Sequence, residues 1–148
     1  MIERELILLR HAKSSWAEPG LADHERPLNA RGRRQCQAVA AWLLAREAEP
    51  DLVLCSSARR TQETWSRLSE AAAWDVPVLV EPALYLADAE RISEHIALQG
   101  GAERRLLILG HNPGISELAG RLAGRDLGLR TACLACFGLD GEWTDLLQ

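Results

Sequence analysis

The chain has 148 residues, enough for one domain with a complete hydrophobic core. Apolar residues make up 47% of it and charged residues 26%, as is usual for soluble globular proteins. The net charge of −4 gives no reason to expect nucleic acid or an anionic membrane as a partner, so any anion site must be a local cluster of cations.

The N-terminal half alternates between strand and helix patterns. Residues 6–9 are wholly apolar, as in a central strand that is covered on both faces. A helical pattern covers 28–48, with Asn29 as its predicted cap. Residues 51–57 predict a second strand, and 59–72 predict a second helix.

The C-terminal half continues this alternation. Residues 76–81 predict a strand, and Pro77 favours an edge position because proline has no N–H to donate to a neighbouring strand. Residues 88–98 predict a helix that ends before Gly100. A strand, a helix and a last strand are predicted over 105–111, 112–123 and 131–139.

This order of elements predicts an α/β fold, a three-layer α/β/α arrangement with helices on both faces of a mostly parallel sheet. We expect one domain over 1–148. Residues 14–27 form the longest segment without a regular pattern, and loops of that length in compact domains are often functional.

Polar side chains follow three of the predicted strands. Arg10 and His11 end the first, Arg60 comes shortly after the second, and His111 ends the strand over 105–111. Ligands of open α/β sheets bind at the carboxyl ends of the strands, so we expect these side chains to converge on one cleft. Arg60 also lies at a predicted helix start, where the helix dipole disfavours a cation unless an anion is nearby.

The remaining histidines and the cysteines are not assigned to chemistry. His24 and His95 are expected to face solvent. For the C-x-x-C pair Cys133 and Cys136 we favour a buried packing role over a metal or redox site, because no second pair of ligands completes it. The other two cysteines are expected to be reduced packing residues.

The sequence also bears on where the protein works. No apolar stretch approaches the roughly 20 residues that a membrane-spanning helix needs. The N-terminal segment has two glutamates before a short apolar run, unlike a secretory signal. We therefore expect a cytoplasmic protein with no membrane partner.

Taken together, the polar strand ends resemble the signatures of the histidine phosphatase superfamily, also called the phosphoglycerate mutase-like fold. An apolar strand followed by Arg-His-Gly or Arg-His-Ala stands here as "LILLRHAK". The pattern Ser-x-x-x-Arg-Ala-x-x-Thr matches Ser56, Arg60 and Thr64, with Thr61 in place of alanine, and His-x-Pro matches "HNP". The runs "RHAKSSW", "RPLNARG" and "HNPG" resemble the SixA-type branch, whose members are phosphohistidine phosphatases.

The resemblance implies a metal-independent phosphatase that needs no cofactor. His11 would be the nucleophile and would form a phosphohistidine enzyme intermediate. Arg10 and Arg60 would clamp the phosphoryl oxygens, because a guanidinium matches phosphate geometry. His111, when protonated, would be a further donor, and Arg26 would add another phosphate ligand from the long loop.

Many members of this superfamily carry a carboxylic acid that protonates the leaving group. Glu81, Asp88 and Glu90 lie in the corresponding part of the chain, but none stands in a matching motif. A phosphohistidine nitrogen can be protonated before it leaves, so it needs such an acid less than an alcohol does. The expected substrate is therefore a phosphorylated partner, with a histidine-phosphorylated protein as the specific expectation.

Two other functions stay open at this point. One is a phosphatase of small phosphoesters, or a mutase, although a mutase usually needs a longer chain that shelters the phosphoenzyme. The other is a non-catalytic module that binds phosphate groups. His11 argues against a pure binding module, which needs the arginines but no nucleophilic imidazole.

Overall fold

The computed structural model describes residues 3–147, and over that range five strands form one sheet. The strands are β1 (Glu3–Arg10), β2 (Leu52–Ser56), β3 (Val78–Glu81), β4 (Arg105–Gly110) and β5 (Leu134–Asp140). The helices are α1 (Ala30–Ala45), α2 (Arg59–Ala72), α3 (Ala89–Gln99) and α4 (Gly114–Ala123). Short 3₁₀ turns cover Asp23–Glu25, Pro82–Leu84 and Trp143–Leu147.

The sheet has the strand order β3-β2-β4-β1-β5. Strands β1 to β4 are parallel to one another, whereas β5 runs antiparallel to β1. The predicted α/β fold with a mostly parallel sheet is therefore confirmed. The edge position of β3, which Pro77 favours, is confirmed too.

Alternate residues of β1 enter two separate cores, which explains why this strand is apolar throughout. Leu6 and Leu8 are buried in the core that also contains residues of α3 and α4. Ile7 and Leu9 are buried on the other face, with residues of α1 and α2. The sheet is thus covered on both sides, as a central parallel strand requires.

Local hydrogen bonds set the helix starts. The Asn29 side chain accepts a bond of 2.8 Å from the Gly32 N–H, so α1 begins just after the predicted cap. Asp88 likewise caps α3 by accepting from the Arg91 N–H, which makes it the residue before the helix rather than its first residue. Over residues 3–147, no helix combines the length and the apolar character needed to cross a membrane.

The expected buried role of the C-x-x-C pair is wrong. Cys133 and Cys136 are exposed free thiols: Cys133 lies just before β5, and Cys136 lies on β5, which is an edge strand with a neighbour on one side only. Cys36 and Cys55 are buried free thiols, as expected. Within the described range, no group of His, Cys, Asp and Glu side chains could hold a metal ion.

Candidate active site

The cleft at the carboxyl ends of the parallel strands has a volume of about 190 Å³. The structure brings the five residues singled out from the sequence together in its lining: Arg10, His11, Arg26, Arg60 and His111. The lining also includes Lys13, Ser14, Trp16, Leu86, Asn112 and Thr131. A larger groove of about 760 Å³ runs along α2, but it contains none of the five.

His11 is buried directly after β1, and its ring is oriented by the backbone. Its Nδ1 lies 2.7 Å from the Ala12 carbonyl oxygen, so Nδ1–H donates to that oxygen and Nε2 keeps its lone pair. Burial, then the charges of Arg60 and Arg10, lower the pKa of His11 to about 4. The imidazole is therefore neutral near pH 7, as a nucleophile must be.

The chain that follows His11 is held by two helices. The Ala12 N–H donates to Thr64 Oγ1 of α2 at 3.0 Å, and the Lys13 N–H donates to Gln35 Oε1 of α1 at 2.8 Å. Gly32 lets α1 approach this segment, because a Cβ there would lie 2.1 Å from the Lys13 carbonyl oxygen. Gly32, in the run "RPLNARG", and Thr64, in the Ser-x-x-x-Arg motif, therefore both contact the segment that follows the Arg-His pair.

The two arginines that follow strands approach the cleft differently. Arg60 is buried, and it donates from Nη1 to the Asp23 carbonyl oxygen at 2.8 Å and from Nη2 to Asp23 Oδ2 at 3.0 Å. Arg10 is half-buried and donates to the Leu129 carbonyl oxygen at 3.2 Å. Arg59 is exposed and lines the larger groove instead, so the motif assignment to Arg60 agrees with the geometry.

The long loop before α1 carries Arg26 into the cleft. Its guanidinium donates to Ser14 Oγ at 2.8 Å and to Asp23 Oδ1 at 3.1 Å. The Trp16 ring covers it, with the guanidinium carbon 3.5 Å from the ring centroid. Arg26 is consequently buried and fixed, although it belongs to a segment with little regular structure.

Asp23 was not singled out from the sequence, yet it links the arginines of the cleft. Its carboxylate accepts hydrogen bonds from Arg26, Arg60 and the Tyr85 hydroxyl. The bonds from Tyr85 and Arg60 lower the pKa of Asp23 to about 2. The spacing of Asp23 and Arg26 is a weak sequence signal for this pair, but Tyr85 lies 62 residues further along and gives none.

His111 follows β4 and faces His11, with ring centroids 5.3 Å apart. Its Nε2 lies 2.8 Å from Ser56 Oγ, and the Tyr85 ring packs edge-on at 5.5 Å. Burial, then the proximity of His11 and Arg60, lower the pKa of His111 to about 3. His111 is therefore neutral near pH 7 in this structure, and not the cation that the sequence interpretation considered.

Three buried polar atoms at the cleft have no hydrogen-bond partner among the described residues: Arg10 Nε, Arg60 Nε and His111 Nδ1. The fourth such atom in that range is His95 Nδ1 on α3. Buried polar atoms without partners are uncommon, and functional sites are one place where they occur. The concentration of three at one cleft marks it as the chemically unusual part of the molecule.

The other two histidines are not simply solvent-facing. His24 has a half-exposed side chain whose Nε2 lies 2.9 Å from Ser57 Oγ, and its ring packs edge-on against Tyr85 at 4.8 Å. His95 is half-buried on α3. The expectation failed because the 3₁₀ turn that carries His24 packs against the start of α2, a contact between distant segments.

The candidate general acids lie outside the cleft. Glu81 ends β3, Asp88 caps α3, and Glu90 is exposed on α3. Of the residues described, no Asp or Glu lines the cleft. The Asp23 carboxylate contacts Arg26 and Arg60 of the lining, and it is ionised because its pKa is lowered to about 2.

Known proteins show similarity to this chain over most of its length. The model of the histidine phosphatase superfamily, branch 1, matches residues 6–94. An uncharacterized protein of Mycobacterium tuberculosis is 33% identical over 149 residues, which cover 93% of this chain and 91% of that protein.

Two solved structures of proteins provisionally named the phosphohistidine phosphatase SixA are each 28% identical to this chain. The one from Agrobacterium tumefaciens has a TM-score of 0.82 and covers 90% of each chain. The one from Nakamurella multipartitia has a TM-score of 0.83 and covers 100% of this chain and 91% of that chain.

Proposed function

Because this chain belongs to the histidine phosphatase superfamily and is a phosphatase of its SixA-type branch, we propose that it removes phosphoryl groups from histidine side chains of proteins, without a metal ion. The observation that carries this proposal is the environment of His11. A neutral imidazole with a free Nε2 lone pair lies among Arg10, Arg26 and Arg60, at a cleft that no described carboxylate lines.

The first step transfers the phosphoryl group to His11. The Nε2 lone pair attacks phosphorus, and the bond between phosphorus and the substrate nitrogen breaks with its electron pair returning to that nitrogen. The Nδ1–H bond to the Ala12 carbonyl keeps the ring aligned during attack. Water then attacks the phosphoenzyme, releases phosphate and returns His11 to its neutral form.

The arginines hold the phosphoryl oxygens. Phosphoryl transfer depends mainly on positioning and on stabilising the charge of those oxygens. Arg26 and Arg60 are buried and already paired with Asp23, so they undergo little reorganisation when the phosphoryl group arrives. Each donor of this kind is commonly worth about 10²- to 10³-fold in kcat.

His111 supplies a further donor without being a cation. A neutral imidazole carries one N–H, and the hydrogen bond between Ser56 Oγ and Nε2 sets which nitrogen holds it. When the Ser56 hydroxyl donates to Nε2, the proton lies on Nδ1, which has no partner within the described protein. His111 can then donate Nδ1–H to a phosphoryl oxygen.

The cleft chemistry favours a nitrogen leaving group. An alkoxide leaves slowly unless an acid protonates it, and none of Glu81, Asp88 and Glu90 lines the cleft. The second nitrogen of a phosphohistidine ring takes a proton from water before the phosphoryl group is transferred. The names of the two SixA structures point in the same direction.

Hydrolysis of a histidine-phosphorylated protein tests this proposal. We expect phosphate release from it with kcat/KM well above that for sugar phosphates, and loss of the activity in His11→Ala. His95→Gln serves as the matched control, because His95 lies on α3 outside the cleft. Faster turnover of sugar phosphates would favour a small-phosphoester phosphatase, and phosphate binding without turnover would favour a binding module.

A further inference from the structure

Two exposed apolar side chains lie at the cationic cleft. Trp16 is 72% exposed and Leu86 is 55% exposed, and both belong to the cleft lining. They come from separate segments, one from the loop after β1 and the other from the connection between β3 and α3. Large apolar side chains beside a strongly polar site point to a contact with a ligand.

Leu86 is held in a conformation that its own chain disfavours. Its φ of 53° is in the left-handed region, which leucine rarely adopts. Its two neighbours fix the segment, because the Tyr85 hydroxyl donates to Asp23 and Gly114 leaves room for the Ala87 carbonyl. A Cβ at position 114 would lie 1.8 Å from that carbonyl oxygen.

Neither the backbone conformation nor the exposure of Leu86 stabilises the folded protein. A leucine at positive φ is strained, and an exposed leucine buries little apolar surface. A glycine or asparagine would suit this backbone better. Strain that the surrounding structure maintains is typical of functional positions.

Trp16 is also held in place. One face of its indole covers the Arg26 guanidinium at 3.5 Å, and Arg26 is fixed by Ser14 and Asp23. The rest of the ring remains exposed at the cleft mouth. The indole therefore offers a fixed apolar surface next to the phosphate-binding cations.

The size of the cleft indicates what these two side chains contact. Its 190 Å³ is smaller than the roughly 300–1,000 Å³ of pockets that enclose a whole small molecule. The buried residues of its lining include His11, Arg26, Arg60 and His111, whose side chains suit a phosphoryl group. The leaving group must then lie at the mouth, beside Trp16 and Leu86.

We propose that Trp16 and Leu86 form an apolar rim that determines specificity by contacting the phosphorylated imidazole and the apolar residues beside it on a substrate protein. This inference rests on the proposed function and extends it from the phosphoryl group to the leaving group. The rim residues bind the substrate and take no part in proton or phosphoryl transfer.

The test compares two substrates that differ in the leaving group. A histidine-phosphorylated protein can contact the rim, whereas phosphoramidate has ammonia as its leaving group and no carbon atom to contact it. The variants are Leu86→Asn, which suits the left-handed backbone, and Trp16→Ala. Leu98→Asn is the matched control, since Leu98 is 74% exposed on α3 and outside the cleft.

We expect each rim variant to lower the ratio of kcat/KM for the phosphoprotein to kcat/KM for phosphoramidate by about tenfold, mainly through KM. The control should leave the ratio at the wild-type value. If both rim variants turn over both substrates as the wild-type protein does and the ratio is unchanged, the specificity role of the rim is contradicted but the proposed function is not. Turnover of phosphoramidate without any turnover of the phosphoprotein by the wild-type protein overturns both.

Discussion

His11 shows how one set of charges serves both binding and reactivity. In the proposed mechanism Arg10, Arg26 and Arg60 bind the phosphoryl group, and burial together with the same charges lowers the pKa of His11 to about 4. A cationic site that left this histidine protonated would bind phosphate but could not attack it. The lowered pKa of His11 is thus what the proposed nucleophile requires and what a simple anion site does not need.

The pH dependence of catalysis follows from this shift. His11 is neutral above a pH of about 4, so kcat/KM, corrected for the ionisation of the substrate, should fall only as the pH drops through that value. Rate measurements from pH 3.5 to 8 check this. An acid limb centred near 6.5, the ordinary value for histidine, would show that the cleft does not keep His11 neutral.

We expect Asp23 to act as a positioning residue through Arg26 and Arg60, because its carboxylate accepts hydrogen bonds from both. Asp23→Asn keeps the size of the side chain but removes the charge that both arginines share. We expect kcat/KM to fall about 10- to 100-fold, the effect commonly seen when a supporting partner of a site is lost. Asp75→Asn is the control for the loss of one negative charge, because Asp75 is exposed and lies after α2.

Circular dichroism and the unfolding midpoint of Asp23→Asn separate positioning from folding. A variant that keeps both wild-type stability and wild-type kcat/KM would contradict a positioning role for Asp23. A variant that is less active but equally stable supports its positioning role.

At the level of the elements, α1 fixes the segment that follows His11. The helix starts at the Asn29 cap and approaches the backbone of residue 13 through Gly32. The Asn29 N–H also donates to the Lys13 carbonyl oxygen at 3.0 Å. The loop after β1 thus has little freedom to move relative to the helix.

Gly32→Ala should disturb this contact. The added Cβ would lie 2.1 Å from the Lys13 carbonyl oxygen, so the helix or the loop must shift. We expect a loss of about 1–3 kcal/mol in the free energy of unfolding and a reduced kcat/KM. Urea unfolding and steady-state rates measure the two effects.

Gly20→Ala is the matched control, because a Cβ at Gly20 meets no atom within 4 Å. We expect this variant to match the wild-type protein in both measurements. Equal stability of Gly32→Ala and the control would contradict the close approach of α1.

The elements also show which features the sequence can predict. The apolar run of β1 and the cap at Asn29 are local signals, so their predictions agree with the structure. The direction of β5 is not a local property, since it depends on which strand it pairs with. The position of Cys136 on this edge strand is likewise not a local property, and the buried role expected for it was wrong.

For the whole molecule, two buried neutral histidines predict sensitivity to acid. The pKa of His111 is lowered to about 3 and that of His11 to about 4, from an ordinary value of 6.5. Below pH 6.5 the unfolded chain binds protons that the folded chain does not. The free energy of unfolding should therefore decrease as the pH falls from 6.5 through these lowered values.

His111→Gln tests this linkage, because glutamine does not titrate. Urea unfolding at pH 7, 5 and 4 should show a smaller loss of stability in the variant than in the wild-type protein. Equal losses in the two proteins would mean that the pKa of His111 does not differ between the folded and unfolded states.

The topology explains why the site residues could be found from sequence. Parallel strands end at one edge of the sheet, so Arg10, His11 and His111 were expected to meet, and the structure places them at one cleft. The links through Asp23 and Tyr85 depend on how loops pack, and no periodicity encodes that. Trp16 and Leu86 were missed for the same reason.

Rapid-quench mass spectrometry shows directly whether His11 carries the phosphoryl group during turnover. After mixing with a histidine-phosphorylated protein, we expect the enzyme to gain the mass of one phosphoryl group in an acid-labile, alkali-stable form. Peptide mapping should place that group on His11, and the adduct should be absent from His11→Ala. A phosphoryl group on another residue, or full turnover by His11→Ala, would contradict the account.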